Sequence, residues 1–238
     1  MKQPDFTFAH REEGFDDHID KSIRGYSVLH DDIINLSRYF VEDQTNVVDI
    51  GCSTGKTIHA MRRQNSEFAD DANYIGIEYA EGFKDELAKR KEEMDKEFGE
   101  FFGSVNFYID DIRNFTFENC SLVTSIFTLQ FMPPSSRRNV LKEIYKGLNP
   151  GGAFIFAEKT IARDARIQEM MTFTYYDYKR KNFEDSDILD KERTLRNMLK
   201  PMSWEELKNS VALAGFSFDR IQPFWQNHLF VGAIAVKG

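Results

Sequence analysis

The feature that most constrains the fold is residues 47–56, V-V-D-I-G-C-S-T-G-K, where an apolar run ends in an acid and breaks into a glycine-bracketed turn. Gly51 and Gly55 lack a Cβ atom, so the backbone there can take a positive φ and approach a ligand closely. The next helix is expected to begin near Thr54, with Ser53 as its N-cap. At the carboxyl edge of a parallel sheet, such a turn is typical of a nucleotide-like cofactor site. A plain strand-to-helix turn is the alternative at this point.

Strand-like runs alternate with helical patterns along most of the chain, which predicts an α/β fold with a mostly parallel sheet. The first five runs are Asn46–Ile50, Tyr74–Ile77, Val105–Ile109, Leu122–Phe127 and Ala153–Ala157. Two more runs close the chain, Phe216–Phe224 and Leu229–Val236. Because only a few residues separate them, we expect an antiparallel C-terminal hairpin.

We expect one domain over residues 1–238, since a chain of this size can bury a substantial single core. Residues 1–45 are polar and helical in pattern, and they predict an N-terminal helical cap. Residues 160–203 are dense in charged and aromatic side chains and predict a helical insertion before the hairpin. An insertion there overhangs the carboxyl ends of the strands, which suits a lid, a substrate pocket or a dimer surface.

Acids follow two further strand-like runs. Glu78 ends the second run, where a carboxylate can accept hydrogen bonds from both hydroxyls of a ribose. Asp111 follows the third run and precedes Ile112, so an adenine packed on Ile112 could donate its amino group to Asp111. A single acid at a strand end is as easily a helix cap. Together with Asp49, three such acids in order favour a nucleoside-containing ligand.

Composition narrows the classes of partner. The chain has 31 Lys and Arg against 39 Asp and Glu, a net charge of −8, so no basic field attracts nucleic acid and a small-molecule substrate is expected. No apolar run approaches the roughly 18 residues of a membrane helix, so no membrane association is expected. Cys52 and Cys120 in a chain without an evident signal peptide predict a cytoplasmic location. The 5 histidines lack metal-ligand spacing, so no metal site is expected.

The order of these motifs resembles the class I S-adenosylmethionine-dependent methyltransferases. It runs from Asp49–Gly55 through Glu78 and Asp111 to N-P-G-G at 149–152 and the terminal hairpin. The resemblance implies a three-layer Rossmann-like α/β fold. It also implies a seven-stranded, mostly parallel sheet with an inserted antiparallel strand, and S-adenosylmethionine as the cofactor.

Longer strings resemble one family within this superfamily, the carboxy-S-adenosyl-L-methionine synthases. They are R-G-Y-S at 24–27, D-I-G-C-S at 49–53, F-T-L-Q-F at 127–131, I-Y-K-G-L-N-P-G-G at 144–152 and E-K at 158–159. The resemblance implies a homodimer that converts S-adenosylmethionine and prephenate to carboxy-S-adenosylmethionine and phenylpyruvate. A partner enzyme would then transfer the carboxymethyl group to the wobble uridine of tRNA. No enzyme base is implied, because prephenate removes the methyl proton as it decarboxylates.

The resemblance also implies roles for individual residues. An arginine is expected to hold the new carboxylate, since its planar fork can bind that group bidentately. Alignment from the left assigns this catalytic role to Arg193, whereas ungapped alignment from the right places Glu192 there. The positions expected to line the cofactor, S-adenosylmethionine or carboxy-S-adenosylmethionine, are Tyr26, Gly51, Cys52, Ser53, Glu78, Tyr79, Asp111, Ile112 and Ile126.

The chain departs from the family pattern at several of these places. Glu78 and Ile126 stand where the family usually has aspartate and asparagine, and the pair 175–176 is Tyr-Tyr instead of His-His. Three functions therefore stay open: the synthase, a conventional methyltransferase acting on a small molecule or tRNA, and a non-catalytic cofactor-binding subunit. Glu192 at the arginine position would favour the methyltransferase, because a carboxylate repels an anionic product.

Overall fold

A computed structural model describes residues 15–99 and 103–238 of the chain. Its helices are α1 (Phe15–Ser22), α2 (Tyr26–Ser37), α3 (Lys56–Asn65), α4 (Lys84–Phe98), α5 (Pro134–Gly147), α6 (Ala165–Lys179), α7 (Asp185–Met198) and α8 (Trp204–Ala214). Its strands are β1 (Asn46–Ile50), β2 (Asn73–Glu78), β3 (Val105–Ile109), β4 (Cys120–Ile126), β5 (Leu148–Lys159), β6 (Ile221–Asn227) and β7 (Phe230–Val236).

The strands form one sheet in the order β3-β2-β1-β4-β5-β7-β6. Neighbours from β3 to β5 pair in parallel, whereas β7 runs antiparallel to both β5 and β6. The predicted mixed sheet with an antiparallel C-terminal hairpin is confirmed. Because β1 to β5 are parallel, their carboxyl ends meet at one edge, and β1 lies near the point where the strand order reverses.

The core lies on both faces of this sheet. Val47 of β1 packs in a fully buried cluster with Leu29 of α2 and Ile58 of α3. The next residue, Val48, packs in a second cluster with Leu141 of α5 and residues of α8 on the opposite face. This alternation follows from the two-residue repeat of a strand, and residues 47–50 of β1 are all buried because helices cover both sides of the sheet.

The strand before the final turn begins later than the sequence suggests. The prediction placed it at Phe216–Phe224, but β6 begins at Ile221 after a short 3₁₀ turn at Phe218–Arg220. Phe216 is a buried anchor, with its ring 4.9 Å from that of Tyr145. Phe216 is therefore apolar because it packs in the core, and not because it belongs to a strand.

The start of α3 also differs from expectation. The helix begins at Lys56, and Gly55, with φ of 74°, is its N-cap without a side-chain hydrogen bond. Ser53 has φ of 48° and directs its hydroxyl toward the carbonyl of Gly51 at 3.5 Å. The prediction of Ser53 as the N-cap is wrong, because its side chain is used within the turn.

Helices α6 and α7 occupy the segment expected to be an insertion, and they pack on the N-terminal helices. The Tyr178 hydroxyl donates a 2.9 Å hydrogen bond to the carbonyl of Asp20 on α1. On the same helix, Asp16 accepts a 3.1 Å bond from Thr54 of the glycine turn. Thus α1 links the turn to the insertion; residues 1–14 of the expected cap lie outside the described residues.

Across residues 15–99 and 103–238, no helix has the length and apolar character needed to cross a membrane.

Candidate functional site

The glycine turn is fastened to the end of β2. The N–H groups of Gly51 and Cys52 both donate to the carbonyl of Ile77, at 2.7 and 3.2 Å. Gly51, Ser53 and Gly55 all have positive φ, at 71°, 48° and 74°. This left-handed backbone curls the turn around the carboxyl ends of β1 and β2, where a ligand of an open α/β sheet binds.

Gly51 is required by its neighbour as well as by its φ. A Cβ atom built at this position would lie 2.2 Å from Oγ1 of Thr128 and 2.5 Å from its Cγ2. Real Cβ atoms do not approach this closely, so Thr128 and the turn are in direct van der Waals contact. Thr128, two residues after the end of β4, therefore packs against the turn.

Glu78 joins the turn to the next loop. It is 7% exposed; its Oε2 accepts a 2.9 Å hydrogen bond from the N–H of Ser53, and its Oε1 accepts a 2.8 Å bond from the N–H of Ala80. Burial raises the pKa of this carboxyl, against the lowering effect of the N–H donors. Each carboxylate oxygen keeps a second lone pair, so Glu78 can still accept from two hydroxyls.

Asp49 lies below the turn and is bound internally. It is 2% exposed, and its Oδ1 accepts a 2.6 Å hydrogen bond from the hydroxyl of Thr124 on β4. Burial raises the pKa of Asp49 to about 7, and the charge of nearby Glu78 adds to the shift. Of the three strand-end acids, Asp49 therefore holds strands together, which leaves Glu78 and Asp111 for a ligand.

Asp111 stands at the end of β3 and caps the 3₁₀ turn of Ile112–Asn114. Its carboxylate pairs with the guanidinium of Arg113, whose Nε lies 2.9 Å away, and this pairing lowers the pKa of Asp111. Ile112 is buried, as its expected apolar contact requires, whereas Tyr79 is 76% exposed. The carboxylate is thus charged and held in one orientation.

Tyr26, Cys52 and Ile126 border the same region. Tyr26 is buried at the start of α2, with its ring centroid 6.3 Å from that of Phe127. The Cys52 thiol is also buried, and burial raises its pKa, so it is not a thiolate nucleophile. Ile126 packs on the apolar cluster beside β1 and offers no polar side chain. These residues supply shape and apolar surface.

The string at residues 127–131 connects three parts of the site. Phe127 turns the chain out of β4 with φ of 56°, while its N–H donates to the carbonyl of Ala157 at 2.7 Å. The Gln130 amide donates to the carbonyl of Phe127 at 3.0 Å and accepts from the N–H of Lys159 at 2.8 Å. The string therefore fixes the end of β5 relative to the glycine turn.

Glu158, just before Lys159, gives a testable pH effect. It is 2% exposed; burial raises its pKa from about 4.5 to about 8, although Arg137 and backbone N–H groups oppose the shift. A raised pKa means that the folded state binds the proton more tightly, so the stability contribution is greatest below about pH 4.5 and is lost as pH rises to about 8. Glu158→Gln cannot ionise and should escape this loss.

We expect the stability advantage of Glu158→Gln over the wild type to grow between these pH values, by on the order of 2–4 kcal/mol. Chemical denaturation of both proteins at several pH values measures the difference, in which all other titrations cancel. A difference that stays constant with pH would contradict the assignment of a protonated Glu158.

The predicted carboxylate-binding arginine is not brought into the site. The Arg193 side chain is 79% exposed and pairs with Asp190, one turn earlier on α7, at 3.0 Å. The side chain of Glu192 is 18% exposed and lies 3.6 Å from both Lys159 and Lys179. Adjacent positions of a helix point about 100° apart, so the inward place on α7 belongs to Glu192. The assignment of Arg193 has no support from this geometry.

A cavity of about 110 Å³ lies between α6, α7 and the ends of β5 and β7. Its charged lining residues are Lys159, Glu192 and Arg196, and Tyr175 and Tyr176 supply aromatic surface. None of the ten predicted site residues lines it. The glycine turn and this cavity are thus two separate parts of the candidate site.

Thr128, Lys159 and Arg196 were not among the predicted site residues. Thr128 and Lys159 lie inside strings that carried the family resemblance, F-T-L-Q-F and E-K, so their position near the carboxyl end of a strand was an available signal. Arg196 gave no such signal, because only the packing of α7 shows which of its residues face the cavity.

No cluster of three or more His, Cys, Asp or Glu side chains suited to a metal ion is present in the part of the chain that the structure describes.

The family model of a methyltransferase domain matches residues 47–152, which run from β1 through the glycine turn to the start of β5. Among solved structures, the chain is similar to the magnesium protoporphyrin IX methyltransferase of Synechocystis, determined with bound SAM, with a TM-score of 0.60 and 12% identity. That match covers 92% of this chain and 84% of the other. At this identity the likeness shows the fold alone, the Rossmann-like fold that methyltransferases share.

Curated relatives are more similar in sequence. The carboxy-S-adenosyl-L-methionine synthase of Staphylococcus epidermidis is 34% identical over 224 residues, which cover 94% of this chain and 92% of the relative. The protein of the same name from Shewanella baltica is 32% identical over 235 residues, covering 98% and 93%. With this identity over nearly the whole length, the chain belongs to the carboxy-S-adenosyl-L-methionine synthase family.

Proposed function

We propose that this protein is a carboxy-S-adenosylmethionine synthase, which converts S-adenosylmethionine and prephenate to carboxy-S-adenosylmethionine, phenylpyruvate and water. The observation that carries the proposal is the contact between Thr128 and Gly51. Through it, the string that resembles this family in particular lies directly against the turn that is common to methyltransferases. Relatives of this name at 34% and 32% identity support the same reaction.

The residues around the turn fit S-adenosylmethionine. The absence of a Cβ atom at Gly51 and the positive φ values let the backbone of the turn come close to the ligand. The N–H groups of Gly51, Cys52 and Ser53 stay bonded to Ile77 and Glu78, so the backbone supplies shape and the side chains supply the polar contacts. Glu78 keeps lone pairs for the two ribose hydroxyls, and Asp111 is charged beside the apolar surface of Ile112, as an adenine amino group requires. The positions proposed to line the ligand are Tyr26, Gly51, Cys52, Ser53, Glu78, Tyr79, Asp111, Ile112 and Ile126.

The bound S-adenosylmethionine supplies the activated methyl group that receives the carboxylate. The protein encloses and orients the two substrates, because water must not reach the reacting carbon. Tyr26 and Phe127 give a buried aromatic border beside the turn. A cation must hold the carboxylate. The family resemblance assigns this role to Arg193, but its side chain is exposed. Arg196, which lines the cavity, is the other arginine of α7 that could hold the carboxylate.

The net charge of the protein and an exposed apolar stripe on α6 indicate which partners it has. With a net charge of −8, the protein has no global basic field to attract tRNA, so we propose that a separate cytoplasmic enzyme transfers the carboxymethyl group to the wobble uridine. Ile167, Met170 and Phe173 form an exposed apolar stripe along α6. Exposed apolar stripes favour association, which supports the proposal of a homodimer.

One observation favours a conventional methyltransferase as the second candidate. Glu192 faces the cavity while Arg193 faces solvent. A carboxylate in this place repels an anionic substrate or product, whereas it does not oppose a neutral or cationic methyl acceptor.

Mass spectrometry of the reaction mixture separates the candidates. Purified protein with S-adenosylmethionine and prephenate is expected to yield phenylpyruvate and a nucleoside heavier than S-adenosylmethionine by the mass of carbon dioxide. Release of S-adenosylhomocysteine together with a methylated acceptor would establish the second candidate instead. A folded protein that binds S-adenosylmethionine and turns over neither would fit a non-catalytic subunit.

A further inference from the structure

We propose that the cavity between α6 and α7 binds a carboxylate group of the second substrate, with Arg196 and Lys159 as the binding cations. This assignment rests on the proposed function, in which that substrate is the dianion prephenate. It differs from the family resemblance, because it places the cation on the next turn of α7 and adds a lysine from the end of β5.

The cavity carries a surplus of positive charge. Lys159 and Lys179 each lie 3.6 Å from one oxygen of Glu192, so a single carboxylate is shared by two ammonium groups. Arg196 lines the same cavity and forms no ion pair with any described residue. The two lysines therefore offset the repulsion that Glu192 would exert on an anion, and Arg196 adds a positive charge at the cavity wall that an additional anion would balance.

The lysines are held in place by aromatic rings. The Lys159 ammonium lies 5.3 Å from the ring centroid of Tyr175 and 5.9 Å from that of Phe230. The Lys179 ammonium lies 4.7 Å from the ring centroid of Tyr175, and this side chain is almost completely buried. Such cation–π contacts orient an ammonium group without satisfying its hydrogen bonds. Lys159, 20% exposed in its side chain, can thus still donate to a ligand.

Oε1 of Glu192 makes no hydrogen bond among the described residues, but its charge is offset by the Lys179 ammonium 3.6 Å away. Nδ1 of His228, a residue that lines the cavity, is buried and has no hydrogen-bond partner among the described residues. A buried polar atom without a partner costs about 1–3 kcal/mol, so a polar group is expected there. In the Nδ1–H tautomer, His228 would donate to a carboxylate oxygen beside Arg196 and Lys159.

The size and place of the cavity suit one end of a substrate. Its volume of about 110 Å³ exceeds the roughly 10–15 Å³ that a water requires but is below the roughly 300 Å³ of a complete ligand pocket. The ring centroid of Phe230, which lines the cavity, lies 5.6 Å from that of Phe127, and the centroid of Phe127 lies 6.3 Å from that of Tyr26 in the proposed cofactor site. Packed aromatic rings thus join the cavity to the proposed cofactor site, and the size of the cavity fits the carboxylated end of a substrate.

The test compares four variants for prephenate KM and for direct prephenate binding by calorimetry. Arg196→Ala and Lys159→Met should each weaken prephenate binding by about 10- to 100-fold, the effect of losing a charge-assisted hydrogen bond, with the affinity for S-adenosylmethionine unchanged. Arg166→Ala is the matched control, because it removes one exposed arginine of α6 that does not line the cavity. It should behave like the wild type.

Arg193→Ala is the competing variant. If it weakens prephenate binding while Arg196→Ala and Lys159→Met do not, the family position and not this cavity holds the carboxylate, and the inference is overturned. Wild-type turnover of prephenate with unaltered KM in both cavity variants would overturn the inference and leave the proposed function intact. A wild-type protein that binds S-adenosylmethionine but neither binds nor converts prephenate would overturn both.

Discussion

Gly51→Ala is expected to weaken the affinity for S-adenosylmethionine by more than about 100-fold. The new Cβ atom would lie 2.2 Å from Oγ1 of Thr128, at a φ of 71° that residues other than glycine rarely adopt. Relief of this overlap requires the turn to move away from Thr128, and Ser53, which holds the Glu78 carboxylate, moves with it. A loss of this size corresponds to roughly 3 kcal/mol. Isothermal titration calorimetry with S-adenosylmethionine measures it.

Gly151→Ala separates the close contact from backbone strain. Gly151 also has a positive φ, 82°, but a Cβ atom there would meet nothing within 4 Å. This control should lose some stability and keep the wild-type affinity. Thr128→Ala combined with Gly51→Ala removes the two nearest atoms and should recover part of the binding. Wild-type affinity in a folded Gly51→Ala protein would show that the turn is not the ligand cradle.

Glu78→Gln should have a similarly large effect, weakening S-adenosylmethionine binding by about 100-fold. The amide keeps one acceptor oxygen and replaces the other by a donor, so it can no longer accept from both Ser53 and Ala80 and from two ribose hydroxyls. Each hydrogen bond to a charged group contributes about 1.5–3 kcal/mol, and two such bonds are affected.

Glu81→Gln makes the same change of charge on an exposed acid three residues later and serves as its control. Calorimetry should show near wild-type affinity for Glu81→Gln. Equal affinities in Glu78→Gln and Glu81→Gln would mean that the ribose is not held by Glu78. Because burial raises the pKa of Glu78, wild-type affinity should also fall as the pH is lowered into the range where this carboxyl takes a proton.

The sheet could be predicted because its signals are local. The apolar run of β1 is buried on both faces, and its alternation with helices requires a parallel sheet. The errors came where tertiary packing overrides the local pattern. Phe216 was assigned to a strand but packs against Tyr145, and Ser53 was assigned to a helix cap but takes a left-handed conformation inside the turn.

Some of the residues proposed to face the ligand could be predicted from local sequence signals, whereas others depend on tertiary packing. Glu78 and Asp111 could be placed at one edge because the ends of parallel strands meet there. The choice between Arg193 and Glu192 could not be made from the chain alone, since a one-residue shift rotates a side chain by about 100° around the helix. The cavity was equally hidden, because it forms from Lys159 and Arg196, which come together only through the packing of α7 beside β5.

An isotope-labelling experiment can show whether the carboxylate of prephenate is transferred to S-adenosylmethionine. Prephenate carrying isotopic carbon in its ring carboxylate is incubated with S-adenosylmethionine and the wild-type protein, and the nucleoside product is analysed by mass spectrometry. We expect a product heavier than S-adenosylmethionine by the mass of the labelled carbon dioxide, with unlabelled phenylpyruvate formed in equal amount. Formation of S-adenosylhomocysteine as the nucleoside product, with the label retained in prephenate, would contradict it.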